Sequence, residues 1–208
     1  MIRARSLILI LTVQAVTFGS LVRAADSSTV SSKSSTAATA AAAEVNKVCP
    51  VSGRPVDPGI TFEYEGRTYA FATASDREKY RGKLEASLYH RLGGRKAIDT
   101  AVEAFYVKIL ADDRIKHYFE DISMNKQRRR QKEFLSAAMG GPIPYTGKDL
   151  RRAHEDLPGL GDVHFNAVAE HLKSTLEDLK VDPGMIREVM TLVGGARDAV
   201  LNRTPASK

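Results

Sequence analysis

MNKQRRRQKEFLSAAMGGPIPYTGKDLRRAH, residues 124–154, reads as one amphipathic helix, a hard stop, a loop and the start of a second helix. At a helical period Met124, Gln127, Gln131, Phe134, Leu135 and Ala138 share a face, while Arg128, Arg129 and Arg130 fall on its flanks and back. Gly140-Gly141 takes the left-handed conformations that end a helix, and Pro142 keeps it from resuming. The next helix is short, with Leu150, His154 and Leu157 on one stripe. Two glutamines on a face that should be apolar, and a histidine on the matching face of the next helix, do not suit a plain core. A buried amide left without partners costs about 1–3 kcal/mol per unsatisfied group. Something polar therefore belongs between these two helices.

Outward from that stretch the helical pattern continues in both directions. Downstream, Phe165, Val168, Leu172, Leu176 and Leu179 make a strong stripe with Asp162 as the expected N-cap. Pro183 opens a last helix whose stripe is Ile186, Val189, Met190, Val193, Ala196 and Val200. Upstream, Leu88 and Leu92 precede the pair Gly93-Gly94, and Ile98, Ala101, Val102, Phe105 and Ile109 mark a longer helix. Asp112-Asp113 caps a turn that carries Ile115, Tyr118 and Phe119. No strand pattern interrupts residues 87–204, so the body of the protein is expected to be all-α.

The chain of 208 residues leaves room for an ordinary domain and an added module. Arg3 and Arg5, the apolar run Leu7 to Gly19, and Val22-Arg23-Ala24 read as a signal peptide over 1–24. The run is too short for a transmembrane helix, although an uncleaved anchor is the competing reading. Cleavage leaves no stable membrane span and an exported protein, periplasmic or secreted. The formal net charge of +6 includes Arg3, Arg5 and Arg23, so half of the excess leaves with that segment. What remains argues against nucleic acid as a partner. Residues 25–44, rich in Ser, Thr and Ala, bury too little to order themselves and read as a flexible linker. Cys49 is the only cysteine, so no internal disulfide forms. It is a buried thiol, an intermolecular partner or the remnant of a metal site.

Phe62 and Tyr64, then Tyr69 and Phe71, alternate with polar residues around Glu65-Gly66, the pattern of a small N-terminal β-hairpin that must pack on something. Residues 45–81 resemble the YHS module, a small metal-associated domain. The likeness rests on Cys49-Pro50-Val51-Ser52-Gly53, Val56-Asp57-Pro58 and the Tyr64-x-Gly66-x-x-Tyr69-x-Phe71 hairpin. Where that family usually carries further cysteines, this chain has Ala72, Thr73, Ala74 and Ser75. One thiolate makes no tight soft-metal site, so the resemblance implies a structural or docking role.

Four polar residues intrude on apolar faces: Tyr106, Gln127, Gln131 and His154. They suit a small buried network with no cofactor, the commoner fate of such residues. They also suit haem, the rarer case, which takes an imidazole nitrogen on one side and, on the other, a small ligand that phenol and amide donors stabilise. Of the other histidines, His90, His117 and His164 look like surface or helix-end residues, and His171 is a weaker competitor. No Cys-x-x-Cys-His sequence is present, which excludes covalent attachment of that type.

Residues 87–199 resemble the group I truncated haemoglobins in Leu88-Tyr89, Leu92-Gly93-Gly94, Ala104-Phe105-Tyr106, Leu110-Ala111-Asp112-Asp113, Tyr118-Phe119, Met139-Gly140-Gly141-Pro142, Tyr145-Thr146-Gly147, His154, His164-Phe165 and His171-Leu172. The resemblance implies a truncated two-over-two globin fold over 87–204 with non-covalent haem b. It implies His154 as proximal iron ligand, Phe119 packed on the haem face, and Tyr106 and Gln131 as distal donors. Gln127 falls at a distal gate position that is often apolar in that family, and Arg130 where a basic residue often meets a haem propionate. The implied activity is reversible binding of dioxygen or another diatomic, nitric oxide or carbon monoxide among them. A nitric oxide dioxygenase-like conversion to nitrate is also implied. With no flavin or nicotinamide fingerprint, turnover needs an external electron donor. Two rival classes stand beside it: a haem-based gas or redox sensor acting through the YHS-like module, and a metal-handling protein built on Cys49. Loss of a partner on deleting 45–81 marks the first, and stoichiometric zinc or copper on that module marks the second.

Overall fold

The computed structural model describes residues 45–204; the expected signal peptide and linker lie outside the described residues. Among the described residues no helix is long and apolar enough to cross a membrane.

Strands β1 (Asp57–Tyr64) and β2 (Arg67–Phe71) form the expected hairpin, with Phe62 opposite Tyr69 and Tyr64 opposite Arg67. Glu65 and Gly66 both have positive φ, 50° and 72°, the mirror-image turn that matches strand twist. A bulge between Asp57 and Thr61 bends the outer end of β1. Helix α1 (Ala74–Glu85) follows, where the sequence pattern assigns no element. Only Tyr80 and Leu84 are large and apolar among its residues, too few to draw a stripe. It forms because Thr73 caps it, Oγ1 accepting from the Asp76 N–H, and because Tyr80 packs on Phe62, Tyr69 and Phe71. The expected end of the module at residue 81 falls inside this helix.

Behind the hairpin Cys49 is buried in a tight loop, its N–H donating to the Arg54 carbonyl at 2.8 Å. Burial pushes its thiol pKa up, but hydrogen bonds from Ser52 and from the N–H groups of Ala72, Ser52 and Val51 bring it below the ordinary value. Asp76, also buried, accepts from Ser52 and pairs with Arg54.

The rest is helical: α2 (Leu88–Arg91), α3 (Gly94–Ala111), a 3-10 turn at Lys116–Phe119, α4 (Met124–Ala138), α5 (Leu150–His154), α6 (Asp162–Asp178), α7 (Pro183–Gly195) and α8 (Arg197–Val200). The protein is therefore all-α with one small hairpin, as its pattern predicts. Helix α3 packs on α4 and on α6, α6 packs on α7, and α5 lies against α8. Buried between two neighbours, α3 supplies the heart of the core with Ile98, Val102, Phe105, Tyr106 and Ile109. Ile115, Met139, Ala167, Leu176, Ile186 and Val189 close around it.

Gly140 has φ 81° directly after α4, the left-handed stop expected there. Two expectations need correction. Asp162 is the first residue of α6 rather than its N-cap, which is Gly161; its carboxylate instead holds Arg197 at 2.5 Å and Arg203. The last apolar stripe is also two helices, because Gly194-Gly195 end α7 before α8 begins.

Helix α5 is held from outside itself. Arg151 Nη2 donates to the Arg203 carbonyl at 2.7 Å, and Asn202 Nδ2 to the Arg151 carbonyl at 3.4 Å.

Asp112 closes α3 and gathers Arg114 at 2.7 Å and His171 of α6 at 2.7 Å. Hydrogen bonds from Arg114, His171 and the Arg114 N–H hold its carboxyl far below the usual range. A depressed carboxyl pKa adds stability that is present above the unfolded value, about 3.9, and is lost as pH falls through the folded one. Asp112→Asn is expected to lower the thermal midpoint at pH 7 and to flatten the fall in midpoint between pH 5 and pH 2. An unaltered pH slope would show that Asp112 does not drive acid sensitivity.

Candidate functional site

Tyr106 is almost fully buried on α3, and its hydroxyl oxygen accepts a hydrogen bond from Gln127 Nε2 at 3.1 Å. Burial pushes the phenol pKa up, against smaller opposing effects of the Gln127 bond and the Arg128 charge. The group is therefore a neutral phenol at neutral pH. Because Gln127 is the donor in that bond, the phenol proton stays available to a third party. Phe119, from the 3-10 turn, meets the Tyr106 ring edge-on at 5.9 Å and 76°.

Gln131 lies one turn along α4 from Gln127, half-buried, and its amide makes no hydrogen bond to another side chain or to backbone among the described residues. Its neighbours Phe134 and Leu135 are half-buried too, and of all residues of α4 only Ser136 is buried. No residue of α5 is buried. Helices whose large apolar residues stay half open are not a finished core.

His154 ends α5. Its ring is set by Nδ1, which lies 2.7 Å from the Leu150 carbonyl four residues back and donates to it. That bond leaves Nε2 with the lone pair, and Nε2 has no partner among the described residues. The other four histidines differ. His171 Nε2 is held by Asp112, His90 Nδ1 lies 3.0 Å from the Tyr64 hydroxyl, and His164 Nδ1 accepts from the Gly161 N–H at 3.0 Å. His117 is exposed and leans on Tyr118. His171, the competitor in sequence, is thus engaged elsewhere. His154 pairs an oriented ring with an unpartnered acceptor nitrogen on a half-buried side chain, whereas the half-buried ring of His171 is committed to a carboxylate.

The structure joins Tyr106, Gln127 and Phe119 by direct contact. Gln131 and His154 are placed by their helices. Arg130 is exposed and forms no ion pair among the described residues. Sequence reasoning missed Arg128, whose guanidinium carbon lies 5.9 Å from the Tyr106 ring centre and whose Nε pairs with Glu103 at 3.1 Å. The signal was available: Glu103 stands one turn before Tyr106, an acid facing the basic run.

An imidazole with one nitrogen anchored, the half-buried apolar residues Phe134 and Leu135 of α4 and a phenol with a spare proton together fit haem. They fit a bare metal ion less well. Among the described residues no three His, Cys, Asp or Glu side chains gather as a metal-ligand group.

The sequence model of the family described as bacterial-like globin matches residues 87–202. Group 1 truncated hemoglobin GlbN of Synechocystis is 47% identical over 112 residues, covering 52% of this chain and 90% of that protein. Group 1 truncated hemoglobin LI410 of Chlamydomonas moewusii is 46% identical over 121 residues, covering 58% of this chain and 71% of the other. Among solved structures, the 2/2 hemoglobin of Synechococcus in the cyanomet state with covalently attached heme is 49% identical. Its TM-score is 0.55, over 57% of this chain and all of that one. The Fe(III) truncated hemoglobin of Tetrahymena pyriformis is 38% identical with TM-score 0.53, covering 55% of this chain and 97% of that one.

Proposed function

Because the chain belongs to the bacterial-like globins, and among them to the group 1 truncated haemoglobins, we propose that it holds non-covalent haem b and reversibly binds dioxygen or a similar diatomic. The observation that carries this reading is His154, with Nδ1 anchored 2.7 Å from the Leu150 carbonyl and Nε2 unpartnered. Haem supplies an iron centre with one position for that nitrogen and one for an exchangeable small ligand.

The chain's own residues divide the remaining work. The Leu150 carbonyl fixes the tautomer and plane of the imidazole. Tyr106 offers its proton to the ligand, where partial negative charge gathers, in a site too dry for water to compete. Gln127 holds the phenol oxygen from behind, and Gln131 adds a second donor. Phe119 keeps the Tyr106 ring in place and water out. Arg130, without an ion pair among the described residues, is the cation for a propionate.

The finer reading is that nitric oxide and dioxygen combine at this site to give nitrate. One electron per turnover comes from a separate donor. Export, implied by residues 1–24, makes that donor one available outside the cytoplasm. The sensor and metal-handling readings draw no support from the relatives or from the side chains around Cys49.

The test is a set of absorption spectra of the purified, haem-supplied protein: oxidised, reduced, and reduced with carbon monoxide. Histidine-ligated b-type spectra with a reversible carbon monoxide shift are expected. Acidified organic solvent is expected to extract all the haem and leave a polypeptide of unmodified mass. Haem that stays with the polypeptide would overturn the non-covalent assignment, and a protein that takes up none would overturn the whole reading.

A further inference from the structure

The hairpin is built into the globin at a point that bears on the distal side chains. Glu65, at the tip between β1 and β2, accepts from the Arg95 backbone N–H through Oε1 at 2.7 Å. It accepts from the Tyr89 hydroxyl through Oε2 at 2.7 Å. Helix α3 has no side-chain cap of its own, since its N-cap is Gly93, so the carboxylate of a distant strand takes the place of one. The fit is close. Gly94 has φ 66°, and a Cβ there would stand 2.1 Å from Glu65 Oε1. Tyr64 adds its hydroxyl 3.0 Å from His90 Nδ1, and Phe62, Tyr64 and Tyr80 pack against the helical core.

Tyr89 carries the connection further. Its N–H donates to the Met139 carbonyl at the end of α4, at 2.9 Å, and its ring is almost fully buried. Burial, and then the Glu65 carboxylate, push its phenol pKa far up, so it remains a donor. One carboxylate therefore ties the start of α3, which bears Tyr106, to Tyr89, and Tyr89 is tied to the end of α4, which bears Gln127 and Gln131. The 3.1 Å bond between Gln127 and Tyr106 depends on how those two helices lie against each other.

We infer that Glu65 is a positioning residue for the distal pocket: it sets α3 against α4, and through them the rate at which a bound diatomic leaves. This rests on the haem reading above and goes beyond it by giving the hairpin segment a task in ligand control.

The experiment uses the full-length, haem-loaded protein with Glu65→Ala, Tyr106→Phe and the double variant. Three quantities are read: dioxygen dissociation rate, the C–O stretching frequency of the carbon monoxide complex, and thermal midpoint. Glu65→Ala is expected to speed dissociation by about two- to tenfold, the lower part of the range for residues coupled through a packed network. It is expected to move the C–O stretch in the same direction as Tyr106→Phe, and the double variant to speed dissociation by less than the product of the two single effects. Glu65→Gln keeps an acceptor for the Arg95 N–H and is expected to shift both readouts less; it stands in if Glu65→Ala does not fold. A Glu65 variant with a lower midpoint but native rate and stretch makes the residue structural only and overturns the inference. So do fully additive effects on the rate. If Tyr106→Phe itself moves neither readout, the assignment of Tyr106 as a distal donor fails and the inference falls with it. If Tyr106→Phe moves both and Glu65 neither, the inference alone falls.

Discussion

His154→Ala is expected to strip the protein of stably held haem. Losing the second partner of a metal-bound histidine costs about 10–100-fold in affinity, and here the ligand itself goes, so retention should fall by more than that. The half-buried apolar residues of α4 remain in the variant. Some haem will therefore bind loosely, with a spectrum unlike the native one. Free imidazole added to the variant is expected to restore the native ferrous spectrum, because only the side chain is missing. A variant that keeps the normal ferrous and carbon monoxide spectra without imidazole would show that another side chain holds the iron. His171 is the residue to test next, and its engagement with Asp112 at 2.7 Å makes that outcome unfavourable.

Tyr106→Phe carries the second large effect, on kinetics rather than loading. Removing one donor worth about 0.5–1.5 kcal/mol is expected to raise the dioxygen dissociation rate by about two- to twelvefold. The ring itself loses nothing, since its edge contact with Phe119 and its place in the core do not involve the hydroxyl. The freed Gln127 amide has no acceptor left and turns to the ligand in part, so the single variant understates the network. Tyr106→Phe combined with Gln127→Leu is expected to be faster than either alone. A rate unchanged in Tyr106→Phe would mean that the two glutamines hold the ligand by themselves.

Much of this is legible in the chain because apolar periodicity and glycine stops act locally. The α4 stripe, its end at Gly140 and the inward face of α3 that carries Tyr106 all follow from spacing within a few turns. What escaped is what depends on partners distant in sequence. Helix α1 has two large apolar residues and takes its stability from the hairpin beneath it. Glu65 looks like an ordinary turn residue until the start of α3, about thirty residues on, is seen to lack its own cap. Asp162 carries the composition of a cap, yet two arginines from the C-terminal end outbid the backbone for its oxygens. Another local feature that could have been read is Leu150, four residues before His154, the spacing at which a helical side chain meets a carbonyl behind it.

The residues after α8 act as a strap on the shortest part of the haem-side architecture. Five residues of helix do not stand unaided in water, and α5 borrows its footing from Asn202 and Arg203. Affinity tags or reporter fusions joined directly behind Arg203 would pull on the very turn that presents His154. Extra sequence is better carried on the amino-terminal side, behind the expected signal peptide.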